Sequence, residues 1–146
     1  MEDAEQLYRR AVSLSPSTPA PYIHYGLFLL DADRYGEAVT AFGAAVRLQP
    51  AVYDYVFNLA VAARLAGQLE LAESSYRRAV GLRPAEAEPH LNLGALLHLR
   101  GRLVEAEDEY IKAWTIKPGE QTTRLNLQRL HNIMKKNNIT TQDVEV

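Results

Sequence analysis

Residues 72–84 read AESSYRRAVGLRP, and the same frame recurs as AEQLYRRAVSLSP at 4–16, AVTAFGAAVRLQP at 38–50 and AEDEYIKAWTIKP at 106–118. The frames end on Pro16, Pro50, Pro84 and Pro118, each 34 residues after the last. Two residues before each proline stands Leu14, Leu48, Leu82 or Ile116. Five before stands Ala11, Ala45, Ala79 or Ala113, and eight before stands Tyr8, Phe42, Tyr76 or Tyr110. Twelve before stands Ala4, Ala38, Ala72 or Ala106. On a helix these alanines lie at helical spacing and let a neighbouring helix come close, while the aromatic between them fills the gap. Proline cannot donate to a helical ladder and restricts the residue before it, so it stops the helix. A fixed period of this length marks stacked helical units.

Outward from these frames, each unit holds a second apolar stripe. Gly26, Ala60 and Gly94 repeat at the same period, preceded by Tyr25, Leu59 and Leu93. A small residue there permits a tight helix crossing. Between the two stripes lie Asp33-Arg34-Tyr35, Gly67-Gln68-Leu69 and Gly101-Arg102-Leu103, where aspartate or glycine suits a chain reversal.

With the large residue at Tyr22, Val56 and His90 added, the pattern over about residues 1–136 resembles the tetratricopeptide repeat family. The resemblance implies an all-α fold, a right-handed α-solenoid of antiparallel helix pairs. Residues 1–18 read as the second half of a repeat, 19–52, 53–86 and 87–120 as full repeats, 121–136 as a capping helix and 137–146 as a flexible polar tail. His90 stands where a large apolar residue is usual, and Gln128 replaces the small residue of the last helix. The leading half repeat presents Leu7, Tyr8 and Val12 without a covering helix, which leads to the expectation of a longer parent with repeats upstream. The last helix is expected to pack Leu125, Leu127, Leu130 and Ile133 on the third full repeat and to turn Thr122, Arg124, Gln128, Arg129, Lys135 and Lys136 to water.

Composition narrows the function. A net charge of -2 supplies no basic field for nucleic acid or anionic lipid. No apolar run approaches the roughly 20 residues of a membrane helix, so direct membrane insertion is not expected. The absence of cysteine excludes disulfides, thiolate zinc sites and a cysteine nucleophile. His24, His90, His98 and His131 form no metal-ligating spacing, and no glycine loop is arranged to cradle phosphate. No cofactor and no catalytic residue is expected. Glu105, Glu107, Asp108 and Glu109 read as a solvated face of one second helix, and Arg9-Arg10 and Arg77-Arg78 as repeat-surface charges.

The face of each first helix turned away from the repeat-defining stripe is the candidate binding surface, and the resemblance implies that it lines a concave groove. It carries an asparagine column, Asn58, Asn92 and Asn126, with His24 one period earlier. A carboxamide both donates and accepts, so it can bridge the N–H and C=O of an extended peptide. The column resembles the asparagine ladder of O-linked N-acetylglucosamine transferases; the alternative is that these side chains bond neighbouring helices. Beside it runs an apolar row of Ile23, Phe57, Leu91 and Leu125, flanked by Leu27, Val61 and Ala95. Such a row marks an interaction site if exposed. Arg64, His98 and Arg129 complete the candidate contacts. Asp54 and Glu88 stand where a clamp for a peptide carboxylate would need cations, which argues against that mode.

These features point to a protein-interaction module that holds a protein or extended peptide. Self-association of a purely structural scaffold is an alternative. A narrower resemblance gives another. Leu91-Asn92-Leu93-Gly94-Ala95-Leu96-Leu97-His98-Leu99 and the stretch Leu127–Lys136 look like the C-terminal end of transmembrane, repeat-containing O-mannosyltransferases. That likeness implies luminal repeats of an endoplasmic-reticulum membrane enzyme which recognise its acceptor; without it the default compartment is cytoplasmic. Asn138-Ile139-Thr140 fits the N-glycosylation acceptor pattern and matters in the secretory case.

Overall fold

The computed structural model describes residues 3–140, and every regular element among them is an α-helix. They are α1 (Ala4–Leu14), α2 (Pro19–Asp31), α3 (Tyr35–Leu48), α4 (Tyr53–Leu65), α5 (Leu69–Leu82), α6 (Ala87–Leu99), α7 (Leu103–Ile116) and α8 (Gln121–Lys136). The chain divides into two compact units, one carrying α1–α5 up to Leu82 and one carrying α6–α8 from Arg83. Of the tail expected over 137–146, residues 141–146 lie outside the described residues.

Local chemistry sets the helix ends. α1, α3, α5 and α7 each stop two residues before a proline of the 34-residue series. Two residues after the ends of α2, α4 and α6 stands a left-handed residue, Asp33, Gly67 or Gly101, with φ of 59°, 77° and 77°. The following amide then reaches back to an open carbonyl: Arg34 N to Leu29 O at 2.9 Å, Gln68 N to Ala63 O at 2.8 Å, and Arg102 N to Leu97 O at 2.9 Å. Asp33 tolerates this backbone without being glycine, and the Tyr35 hydroxyl donates to its carboxylate at 2.9 Å. α8 ends by the same device at Asn138, with φ of 55° and Ile139 N bonded to Met134 O at 2.8 Å.

In the first unit α2 packs on α3 and α4 on α5, with α1 against α2 and α3 against α4. Its core holds Leu29, Ala38, Phe42, Val46, Val56 and Leu59. Gly26 is required by its neighbour, because a β-carbon there would lie 2.5 Å from the Phe42 ring. In the second unit α6 pairs with α7, and a β-carbon on Gly94 would lie 2.7 Å from Tyr110. The cap α8 packs on α7 and touches α6, burying Thr123, Leu130 and Met134. Ile133, expected in that packing face, is exposed. It lies roughly 100° round the helix from Met134, and Met134 takes the inward place.

Candidate functional site

The first-helix faces carry one stripe at i, i+3 and i+7, a spacing that keeps side chains on one side of a helix. In the first unit the stripe is His24, Leu27 and Asp31 on α2, and Asn58, Val61 and Leu65 on α4. His24 and Leu27 are exposed, and Asn58, Val61 and Arg64 are half-buried. Ile23 and Phe57 are also half-buried and lean on the core of the unit. The Phe57 ring stacks on Tyr53 at 5.7 Å and meets the Tyr76 ring edge-on at 6.0 Å. Arg64 Nε donates to the Tyr76 hydroxyl at 3.4 Å. Two expected contact residues are therefore held by one buried tyrosine, so the aromatic surface is a braced wall rather than a set of free side chains.

In the second unit the stripe is Asn92, Ala95 and Leu99 on α6, and Asn126, Arg129 and Ile133 on α8. Leu91, Asn92, Ala95, His98, Leu125 and Asn126 are half-buried and Arg129 is exposed. Among the described residues the Asn58, Asn92 and Asn126 carboxamides bond to no other part of the chain, and no buried side-chain polar atom lacks a partner. Their half-burial leaves them to water. The stripe ends in exposed aliphatic residues, Leu65, Leu99 and Ile133, which the asparagine column alone did not single out. Their 34-residue spacing was a readable signal.

The acidic run of α7 needs correction. Glu105 and Asp108 do face solvent, but Glu109 is buried and Glu107 half-buried. Glu109 Oε2 lies 2.7 Å from Nδ1 of buried His90, a short hydrogen bond across the α6–α7 pair. The carboxylate's other oxygen accepts from Lys112 at 3.4 Å. Glu107 is bound by His131 Nε2 at 2.7 Å, which ties α8 to α7. The signal for Glu109 was its column: Ser75 and Ala41, one and two periods earlier, are buried too. Its neighbour Tyr110 is so enclosed that desolvation pushes its phenol up to about 12.

A second ionic cluster secures α1. Both guanidinium nitrogens of Arg34 donate to Glu5 at 2.8 Å, Arg9 donates to it at 2.8 Å, and the Tyr25 hydroxyl at 3.1 Å. The Arg34 hydrogen bonds, and then those of Tyr25 and the nearby cations, hold the Glu5 carboxyl down at about 2 against the opposing cost of desolvation. The candidate glycosylation residue Asn138 is exposed and follows Asn137, the C-cap of α8. Among the described residues no group of histidine and carboxylate side chains is placed to hold a metal. None of the described helices is long and apolar enough to cross a membrane.

Known structures share this architecture. MamA superposes with a TM-score of 0.86 at 18% identity, covering 92% of this chain and 79% of that one. The first TPR of Spaghetti (RPAP3), bound to the HSP90 peptide SRMEEVD, gives a TM-score of 0.76 at 19% identity over 81% of this chain and 94% of that one. The Sgt2 TPR domain from Aspergillus fumigatus gives 0.75 at 20% identity, with 82% and 81% covered. No curated protein matches the chain. The narrower likeness to O-mannosyltransferases draws no support from these matches. The tetratricopeptide repeat model matches residues 26–87 and 66–120, more than half of the sequence, and on that ground the chain belongs to the tetratricopeptide repeat family.

Proposed function

We propose that the first-helix faces of each unit hold an extended segment of another polypeptide, with Asn58 bonding its backbone in the first unit and Asn92 and Asn126 in the second. The observation that carries this reading is the state of the three carboxamides: each sits at the surface of a rigid helix, unbonded to the rest of the described chain. A half-buried amide that faces water can exchange that water for a peptide group at little cost, and it reads no side chain in doing so. The aliphatic ends of the stripes, Leu65, Leu99 and Ile133, would give the peptide's apolar side chains a place to settle. The peptide bound to the Spaghetti domain makes an interaction role reasonable for this fold. The acidic residues Asp54 and Glu88 oppose a peptide of that acidic kind here, and Arg64 is already engaged by Tyr76.

The test uses short peptides selected from a displayed library against the full chain. Against the double variant Asn58→Ala with Asn92→Ala, selected peptides should bind at least about tenfold more weakly, with helicity and Tm preserved. The acidic peptide SRMEEVD should not bind. Retained binding with a fall in Tm would make the asparagines structural and overturn the reading.

A further inference from the structure

Within the first unit, residues of α1, α2 and α3 line a cleft of about 410 Å³. Its α2 residues are Tyr22, Tyr25 and Leu29, which lie roughly half a turn round that helix from the stripe His24, Leu27 and Asp31. The cleft is therefore separate from the surface assigned to a peptide. A volume of this size falls in the range of about 300–1,000 Å³ that holds small molecules.

The walls of the cleft are fixed. Leu29 and Ala41 are buried and close its floor. The Tyr22 hydroxyl donates to the Pro16 carbonyl at 2.9 Å. The Tyr25 hydroxyl donates to Glu5 at 3.1 Å and accepts from Arg9 Nε at 3.1 Å. Each tyrosine is thus pinned by its polar end, and its ring supplies the apolar wall. Val12 of α1 and Ala44 of α3 add aliphatic surface.

Charge is balanced at one end of the cleft and not at the other. Glu37 lines the cleft and pairs with Arg34, which also grips Glu5, and Arg9 pairs with Glu5 as well. Two acids and two bases cancel there. Arg47 lines the cleft ten positions further along α3, about 15 Å away along the helix axis. It is exposed, and among the described residues it has no ion-pair or hydrogen-bond partner. One period later, on α5, Leu71, Arg78 and Gly81 take the places of Glu37, Ala44 and Arg47. The small wall residue and the cation at the mouth are joined in α3 and not in α5, so the repeat itself does not demand them.

We propose that this cleft binds a small aromatic carboxylate, with its ring against Tyr22 and Tyr25 and its carboxylate on the Arg47 guanidinium. Pinned tyrosine rings favour a flat aromatic body. The guanidinium fork matches the two oxygens of a carboxylate. A phosphate monoester would bring nearly a second negative charge, and the lining offers no second free cation for it.

The probe is 1-naphthaleneacetate, with the uncharged 1-naphthaleneacetamide as its control. Titrated into the isotope-labelled full chain, the acetate should shift backbone amide resonances of α1, α2 and α3 around the cleft, with a Kd of about 1 mM or below. The acetamide should bind more weakly. Arg47→Gln should weaken the acetate at least about tenfold and leave the acetamide unchanged. Ala44→Trp fills the cleft without adding charge and should remove binding of both probes with Tm preserved; if that variant fails to fold, the Arg47→Gln comparison decides alone. Absence of saturable shifts in this range would overturn the proposal, as would acetate binding indifferent to Arg47→Gln, an acetamide that binds as tightly, or shifts centred on His24 and Leu27. So would concentration-dependent dimerisation of the chain alone that Ala44→Trp abolishes, since the cleft would then take a second copy.

Discussion

α1 and α7 obey one sequence rule in two environments. Both place alanine, aromatic and alanine at the same intervals before a proline. In α7 the aromatic is Tyr110, sealed against Gly94, and its neighbour Glu109 is bonded to His90. In α1 the aromatic is Tyr8, stacked on α2 along one side only, and its neighbour Leu7 faces water. The motif therefore specifies what a helix can accept, and the partner helix decides whether the same side chain stabilises the fold.

Substitutions at equivalent positions can break or sharpen this contrast. Tyr110→Ala should destabilise the protein by about 3–5 kcal/mol, while Tyr8→Ala should lose only the ring contacts, about 1 kcal/mol. Equal losses in urea melts would remove the distinction. Next in size is Glu109→Ala, which strands a buried imidazole and should cost about 1–3 kcal/mol. Adding His90→Val and placing serine at 109 installs the residues that stand one period earlier, the buried Val56 and Ser75, and should recover most of that loss. A double variant as unstable as the single one would assign the effect to volume alone. Leu7→Gln, in the same column as Glu109, should shift stability by no more than about 0.5 kcal/mol.

The smallest effect concerns acid. Glu5 in the folded chain titrates at about 2, below the ordinary carboxylate value of 4.5. Its contribution is therefore complete above the ordinary value and is lost as pH falls from there toward 2. Amide exchange in α1 should accelerate across that window, and Glu5→Gln should remove the pH dependence of α1 while leaving that of α7 unchanged. An α1 that loosens equally in both proteins would show that another group is responsible.

The repeating columns made the helical fold legible, because alanine, glycine and proline act through backbone sterics that need no knowledge of neighbours. The half-buried places of Asn58, Asn92 and Asn126 were legible for the same reason, since helical spacing sets each of them off the buried stripe of its own helix. What the carboxylates do was not legible residue by residue. Glu105, Glu107, Asp108 and Glu109 look alike in sequence, and only the matching of Glu109 with Ala41 and Ser75 reveals an inward position. The bracing of Phe57 and Arg64 by Tyr76 depends on side-chain rotamers, which periodicity does not encode.

The His90–Glu109 bond also bears on how the chain avoids misfolding. A chain built from near-copies runs the risk of pairing a first helix with the wrong second helix, since all the apolar surfaces are similar. If α6 closed on α3 or α5, His90 would face Ala41 or Ser75 without its carboxylate. If α7 closed on α4, Glu109 would be driven against Val56. Each exchange buries an uncompensated polar or charged group. The bond thus serves as a key between two otherwise interchangeable parts, penalising the swapped pairings more than it stabilises the correct one.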